Sequence, residues 1–174
     1  MKELQQIRLL GSRRDLVSKL NLYKNVNEVG FIKHINLNFS ELKNKPSTIL
    51  GLGFLYLLGN KKGTVGFKSR TSFSKNFSCN LRLDKEESFF FLEKFLYLNL
   101  KNILDLEEGF SKKQISKTGV FSFSIKDIYA FSELGDNLFK FRILKNLNIS
   151  IAFSNKDKDE NIKILQSLGF FFKD

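Results

Sequence analysis

Only one cysteine, Cys79, occurs in the 174 residues, which excludes an intramolecular disulfide and any cysteine-based zinc site. Tryptophan is absent, and proline, methionine and histidine occur once each. With His34 as the sole histidine, no Ser/His/Asp set can be assembled. No carboxylates pair at a suggestive spacing, and no Gly-rich run matches a phosphate loop or a dinucleotide fingerprint. The chain is therefore expected not to be an enzyme, and no cofactor or metal is implied. Acidic residues are the minority charge, 18 against 29 Lys and Arg, so the net charge is +11. That surplus favours a polyanionic partner, nucleic acid ahead of an anionic membrane surface. The longest apolar run, residues 49–59, is too short to span a bilayer and suits a buried helix, no secretory signal is visible, and no membrane partner is expected.

Phenylalanine, by contrast, is abundant at 20 residues, alongside many Lys, Asn, Leu and Ile. Packing does not require this bias. Phe, Lys, Asn and Ile have AT-rich codons, so the skew points to an AT-rich genome, organellar or bacterial. No linker, internal repeat or low-complexity stretch interrupts the chain, and residues 1–174 read as one domain.

The stretch Val65-Gly66-Phe67-Lys68-Ser69-Arg70 leads through a polar connection into Phe77-Ser78-Cys79-Asn80-Leu81-Arg82-Leu83. The second part alternates with period two, which predicts a half-buried strand with Cys79 and Leu81 inward and Ser78, Asn80 and Arg82 on a wet face. Cys79 then reads as a small buried hydrophobe. The first part reads as a loop entering that strand, with Gly66 permitting close approach and Lys68, Arg70 and, further on, Lys75 suited to a phosphate backbone.

In chain order, residues 12–22 predict a short amphipathic helix with Ser12 as N-cap, Leu16, Val17 and Leu20 on its apolar side and Arg13, Arg14 and Lys19 on its basic side. Residues 31–39 alternate as a strand, placing Phe31, Lys33, Ile35, Leu37 and Phe39 on one face and Ile32, His34, Asn36 and Asn38 on the other. Asn36 and Asn38 can thus meet one partner, and His34 reads as a surface or satisfied histidine. Residues 40–58 predict a helix with Pro46 near its first turn and Gly51 and Gly53 allowing close packing. Residues 59–63 break the chain and carry Lys61 and Lys62. Asp84 should cap a long helix over 85–106 with Phe89, Leu92, Phe95, Leu96, Leu98 and Ile103 buried. A polar basic loop over 111–117 carries Lys112 and Lys113. Strands over 119–125 and 146–153 and a last helix over 157–168 follow. This order predicts an α+β fold, a mainly antiparallel sheet with helices packed on one face.

The motifs together resemble the L-five family of large-subunit ribosomal proteins. Gly66-Phe67-Lys68-x-Arg70 followed by Cys79-x-Leu81-Arg82 is similar to that family's Gly-Phe-Lys-Ile-Arg and Cys-Lys-Val-Thr-Leu-Arg. Ile35-Asn36-Leu37-Asn38 precedes them, and Phe131-Ser132-Glu133, Asn146-Leu147-Asn148-Ile149-Ser150-Ile151 and the closing Phe170-Phe171-Phe172-Lys173 follow in the family's order. The resemblance implies a structural role in the large ribosomal subunit, bound to 5S rRNA and large-subunit rRNA in the central protuberance. Neighbouring large-subunit proteins, a small-subunit head protein across the inter-subunit bridge, and P-site tRNA are the further partners it implies. RNA-binding residues are expected at Arg13, Arg14, Lys19, Asn36, Asn38, Lys61, Lys62, Lys68, Arg70, Lys75 and Arg82. The family's basic loop toward P-site tRNA is longer than residues 59–63; Lys61, Lys62 and Thr64 of it are kept, so most of that contact is expected to be given up here. With the AT-rich bias, the mitochondrial matrix is the expected location, the cytoplasm of an AT-rich bacterium the alternative. A stand-alone RNA-binding protein and a basic peripheral membrane protein compete with this reading; the first lacks surface aromatics in an RNP pattern, the second a continuous cationic helix face.

Overall fold

In the computed structural model, residues 31–71, 74–99, 103, 109–131, 134–135 and 138–173 are described. The expected helix over 12–22, with Arg13, Arg14 and Lys19, lies outside them. The elements in order are β1 (Ile32–Leu42), α1 (Lys45–Gly59), β2 (Thr64–Thr71), β3 (Ser74–Asp84), α2 (Lys85–Lys94), β4 (Phe110–Ser111), β5 (Val120–Ile125), α3 (Leu138–Phe141), β6 (Leu147–Phe153), α4 (Lys158–Leu168) and β7 (Phe172–Lys173). Five strands form one sheet in the order β2-β3-β1-β6-β5, with every pairing antiparallel. The α+β architecture expected from the alternation of elements is the one observed.

Period-two patterning decides which side of the sheet is dry. Ile35, Leu37 and Phe39 of β1, Cys79, Leu81 and Leu83 of β3, Phe121, Phe123 and Ile125 of β5, and Leu147, Ile149 and Ile151 of β6 all point to one side and are buried. Helices α1 and α2 cover that side. The expected alternation fails at one place. A bulge between Ile32 and His34 in the β1–β6 ladder turns Ile32 into the core and leaves Lys33 exposed, the reverse of the simple pattern.

The expected helix over 40–58 starts later than its composition suggests. β1 continues through Leu42, which is buried opposite Phe77, and the helix is set by its cap: the Ser47 hydroxyl accepts from the Asn44 N–H at 3.3 Å, with Pro46 in the first turn. At the other end Gly59 lies where a Cβ would come within 2.5 Å of Leu81 Cδ2 and 2.9 Å of Leu83 Cδ2. The helix end and β3 therefore touch because a side chain is missing.

The helix expected over 85–106 is α2 followed by a wider π-type turn at Phe95–Asn99, while residues 100–102 and 104–108 lie outside the described set. The extra residue in that turn changes the phase of the buried stripe. Asn99 and Ile103 are buried, whereas Leu98 is exposed, contrary to the uniform 3.6-residue period; Phe91, not expected in the core, is buried and stacked on Phe95. The polar loop expected over 111–117 contains a turn of 3-10 helix at Lys112–Gln114 and one buried side chain, Ile115. Just before it, β4 pairs in parallel with the chain's last strand β7, and the Phe110 N–H donates to the Phe171 carbonyl at 2.7 Å.

Aromatic rings fill the interior. Phe54 of α1 meets Phe39, Phe131 and Phe141 edge-on at 5.4–5.6 Å between centroids. Phe110 packs on Phe121, Phe123 and Phe170 at 5.0–5.4 Å. Such pairs add about 0.5–1.5 kcal/mol each beyond area burial. The core thus absorbs much of the phenylalanine excess, whatever its genomic origin, while Phe31, Phe67, Phe90, Phe139 and Phe171 remain exposed.

Candidate nucleic-acid interface

Because helices cover only one side, the other side of the sheet is an open surface, and its chemistry follows from the wet positions of each strand. Register places these positions in two ranks. Thr64, Asn80, Asn38, Asn148 and Ser124 run across β2, β3, β1, β6 and β5, and Arg82, Asn36, Ser150 and Ser122 form the parallel rank on β3, β1, β6 and β5. Every member but Arg82 is a short uncharged amide or hydroxyl. The ranks are laced by hydrogen bonds: Ser122 Oγ donates to Ser150 Oγ at 3.0 Å and Asn148 Nδ2 donates to Ser40 Oγ at 3.3 Å. A depression of roughly 520 Å³ sinks into this face, floored by Asn36, Asn38, Asn80 and Asn148 and rimmed by Lys61, Lys62 and Arg82. Asn38 Oδ1 is buried there with no hydrogen-bond partner among the described residues.

Charge enters at one corner. Arg82 Nε donates to Asp84 Oδ1 at 2.9 Å and its Nη2 lies 3.3 Å from His34 Nδ1, while Lys61 Nζ lies 2.7 Å from Glu87 Oε2 and 3.9 Å from Asp84 Oδ2. Glu87 is there because it is the third residue of α2, where its carboxylate also accepts the Asp84 N–H at 3.2 Å in a capping box. The hydrogen bond from Arg82 holds the Asp84 carboxyl below the usual carboxylate range, and the one from Lys61 does the same for Glu87. Burial first, and the Arg82 cation next, push His34 below its ordinary value, so Nδ1 is available as the acceptor for Arg82.

The expected site residues divide accordingly. Asn36, Asn38, Lys61, Lys62 and Arg82 are brought together around the depression. Lys61 is tied to α2 rather than extended into solvent. Lys68 and Arg70 lie on β2, which is a strand of the sheet rather than a loop, and Lys75 lies opposite Ser69 on β3; their side chains are outside the described set. Lys112 and Lys113 precede β5, at the sheet edge opposite β2. Sequence reasoning passed over Thr64, Asn80, Asn148 and Ser150 as site residues. The same period-two signal that exposed Asn36 would have found Asn148 and Ser150, each flanked by buried Leu or Ile.

Fold and face together define a basic, one-sheet α+β protein whose uncovered surface offers hydrogen bonds from short polar groups. The model of the ribosomal L5 family C-terminus matches residues 76–172, more than half of the chain. Over 169 residues the chain is 30% identical to the large ribosomal subunit protein uL5 of Francisella philomiragia, with 91% of each chain covered. It is 30% identical to uL5 of a Wolbachia species over 190 aligned positions spanning 99% of each chain, and 26% identical to uL5c of Tetradesmus obliquus over 87% of each. The chain belongs to the ribosomal L5 family. That family is structural and non-enzymatic, as the lack of a catalytic constellation in the sequence led us to expect.

Proposed function

We propose that the chain, as one domain over 1–174, is a structural constituent of the large ribosomal subunit, and that its open sheet face seats rRNA. The partner on that face is 5S rRNA where the ribosome holds one, with large-subunit rRNA beside it, in the central protuberance near the bridge to the small-subunit head. Family membership supports the ribosomal assignment. The observation that carries the RNA-facing surface is the pair of polar ranks running over the sheet with no apolar side chain among them. Short amides and hydroxyls are suited to 2′-hydroxyls and base edges across a shallow groove, and the depression's orphaned Asn38 oxygen is an acceptor a hydroxyl would satisfy. Lys62, Lys68, Arg70, Lys75 and Arg82 on the flanking strands and turn, with Arg13, Arg14 and Lys19 from the segment before β1, supply phosphate contacts around that seat.

The abundance of residues with AT-rich codons supports a mitochondrial ribosome as the location, with a bacterial cytoplasm as the alternative. The engagement of Lys61 by Glu87 supports loss of the contact to P-site tRNA, since the turn over 59–63 has one of its two lysines folded back.

Sedimentation of the native protein tests the assignment: it should run with the large subunit at moderate salt and be missing from the top of the gradient. Asn36→Asp with Asn38→Asp then tests the face. A folded double variant should fall out of the subunit peak, and one that remains there at unchanged occupancy would remove the sheet face from the reading.

A further inference from the structure

The hairpin of β2 and β3 runs on past the rest of the sheet. β3 pairs with β1 only as far as Phe77 opposite Leu42, whereas β2 and β3 stay paired out to Thr71 and Ser74. The projecting part carries Lys68, Arg70 and Lys75 in its sequence, and no Asp or Glu occurs from 60 to 83. At its root, on the side of the sheet that the helices cover, Phe67 sits opposite Phe77 and is 78% exposed. Among the described residues no strand pairs with the outer side of β2, so this ring stands at the rim of the fold.

Core packing does not account for Phe67, since most of its surface is left in water. The ring is nonetheless held in place. Its centroid lies 5.4 Å from that of Phe77 with the planes 65° apart, an edge-to-face pair. Such a pair covers at most one face of Phe67 and leaves the other open. A fixed, open ring at the root of a cationic, acid-free hairpin is how proteins hold single-stranded nucleic acid: cations follow the backbone and the ring takes a base. An apolar protein segment would use the ring but not the cations, and a second copy would set its own cations against them.

We propose that Phe67 is the stacking platform for an unpaired rRNA base, on a strand that leaves the open face and passes around the β2 edge along the cations of the hairpin. This rests on the open face being an RNA seat, and adds to it a single-stranded element bound on the opposite side of the sheet. Because every base has a flat face, the contact selects unpaired over paired RNA and not one sequence over another.

The chain has no tryptophan, so Phe67→Trp supplies a single fluorophore at the site. Titration of the full chain with an oligoadenylate of about 12 nucleotides, a length within the usual range of single-strand sites, should quench that emission to saturation through stacking. Phe67→Leu should weaken binding of the same oligonucleotide about 5- to 150-fold. It should leave the slope of log affinity against log salt unchanged, since a ring and not a cation is lost. Phe67→Tyr, which keeps the ring, should bind as the parent does. A bound oligonucleotide with an unquenched fluorophore, equal affinity of the Leu variant, or a reduced salt slope would each overturn the proposal. If large-subunit rRNA is retained with the parent protein on filters and the oligonucleotide is not, the stacking site falls and the open-face reading stands; if neither is retained, both fall. Loss of the Phe67→Leu protein from the subunit peak at unchanged affinity for both RNAs would assign the ring to a neighbouring protein and refute the stacking role.

Discussion

Replacing Glu87 separates two jobs that one carboxylate performs. Its Oε2 lies 2.7 Å from Lys61 Nζ and accepts the Asp84 N–H at 3.2 Å. Both side chains of the ion pair are about two-fifths exposed, 40% for Lys61 and 42% for Glu87, so the pair contributes roughly 0.2–1 kcal/mol, not the larger value of a dry pair. Glu87→Gln removes the charge and keeps an acceptor for the helix cap, and should cost less than about 1 kcal/mol in urea unfolding. Glu87→Ala removes both and should cost about 0.5–2 kcal/mol more. RNA binding should respond only to the charge. With Lys61 released, and Asp84 still held by Arg82, both variants should bind an rRNA fragment more tightly at low salt. Each should also steepen the slope of log affinity against log salt by roughly 0.7–0.9, the increment for one more phosphate contact. Filter binding at several salt concentrations gives the slope. If neither variant steepens it, Lys61 is not within reach of the RNA and the turn over 59–63 is a structural strap. If Gln and Ala differ in slope, the effect comes from the helix cap rather than from the freed cation.

Gly59→Ala should cost about 1–3 kcal/mol, because the new methyl would sit 2.5 Å from Leu81 Cδ2 in a closed interface; Leu81→Val in the same chain should recover part of this, and two additive losses in thermal melts would contradict the contact. Phe54→Ala should cost about 3–5 kcal/mol, since the ring is buried against Phe39, Phe131 and Phe141, and a loss below that of a surface substitution would show the cluster to be loose. His34 has its folded pKa lowered by burial and by Arg82, so the unfolded chain takes up the proton first. Stability is therefore full above the unfolded value near 6.5 and falls as pH drops through the folded value. His34→Gln should flatten that part of a urea-midpoint profile, and an unchanged profile would mean that His34 is not the titrating group.

Alternation carried most of the fold. β3 and β6 have Cys79, Leu81, Leu147 and Ile149 buried where period two puts them, and the open face inherits Asn36, Asn38 and Arg82 from the same rule. What escaped the pattern were departures from regular geometry. The bulge beside Lys33 and the π-type turn after Lys94 each insert a residue and shift the phase, and neither carries a local composition signal. Ion pairing was equally hidden, because Lys61 and Glu87 are 26 positions apart and meet only once α1 has folded back over β3. The parallel pairing of β4 with β7 joins positions more than 60 apart through two residues each, too few to show a period.

The strand order also has a consequence in time. β1 sits at the centre of the sheet, yet its second neighbour, β6, ends at Phe153, roughly 110 residues after β1 itself is complete. At about 5–20 residues per second of synthesis, β1 waits on the order of ten seconds with one edge unpaired, Ile35, Leu37 and Phe39 alongside it. During that interval the nascent hairpin of β2 and β3 can close on β1, but an apolar strand with a free edge remains a template for pairing with other chains. Slow codons placed before β6 would lengthen the exposure and lower the yield of folded protein, and the first half of the chain expressed alone should aggregate.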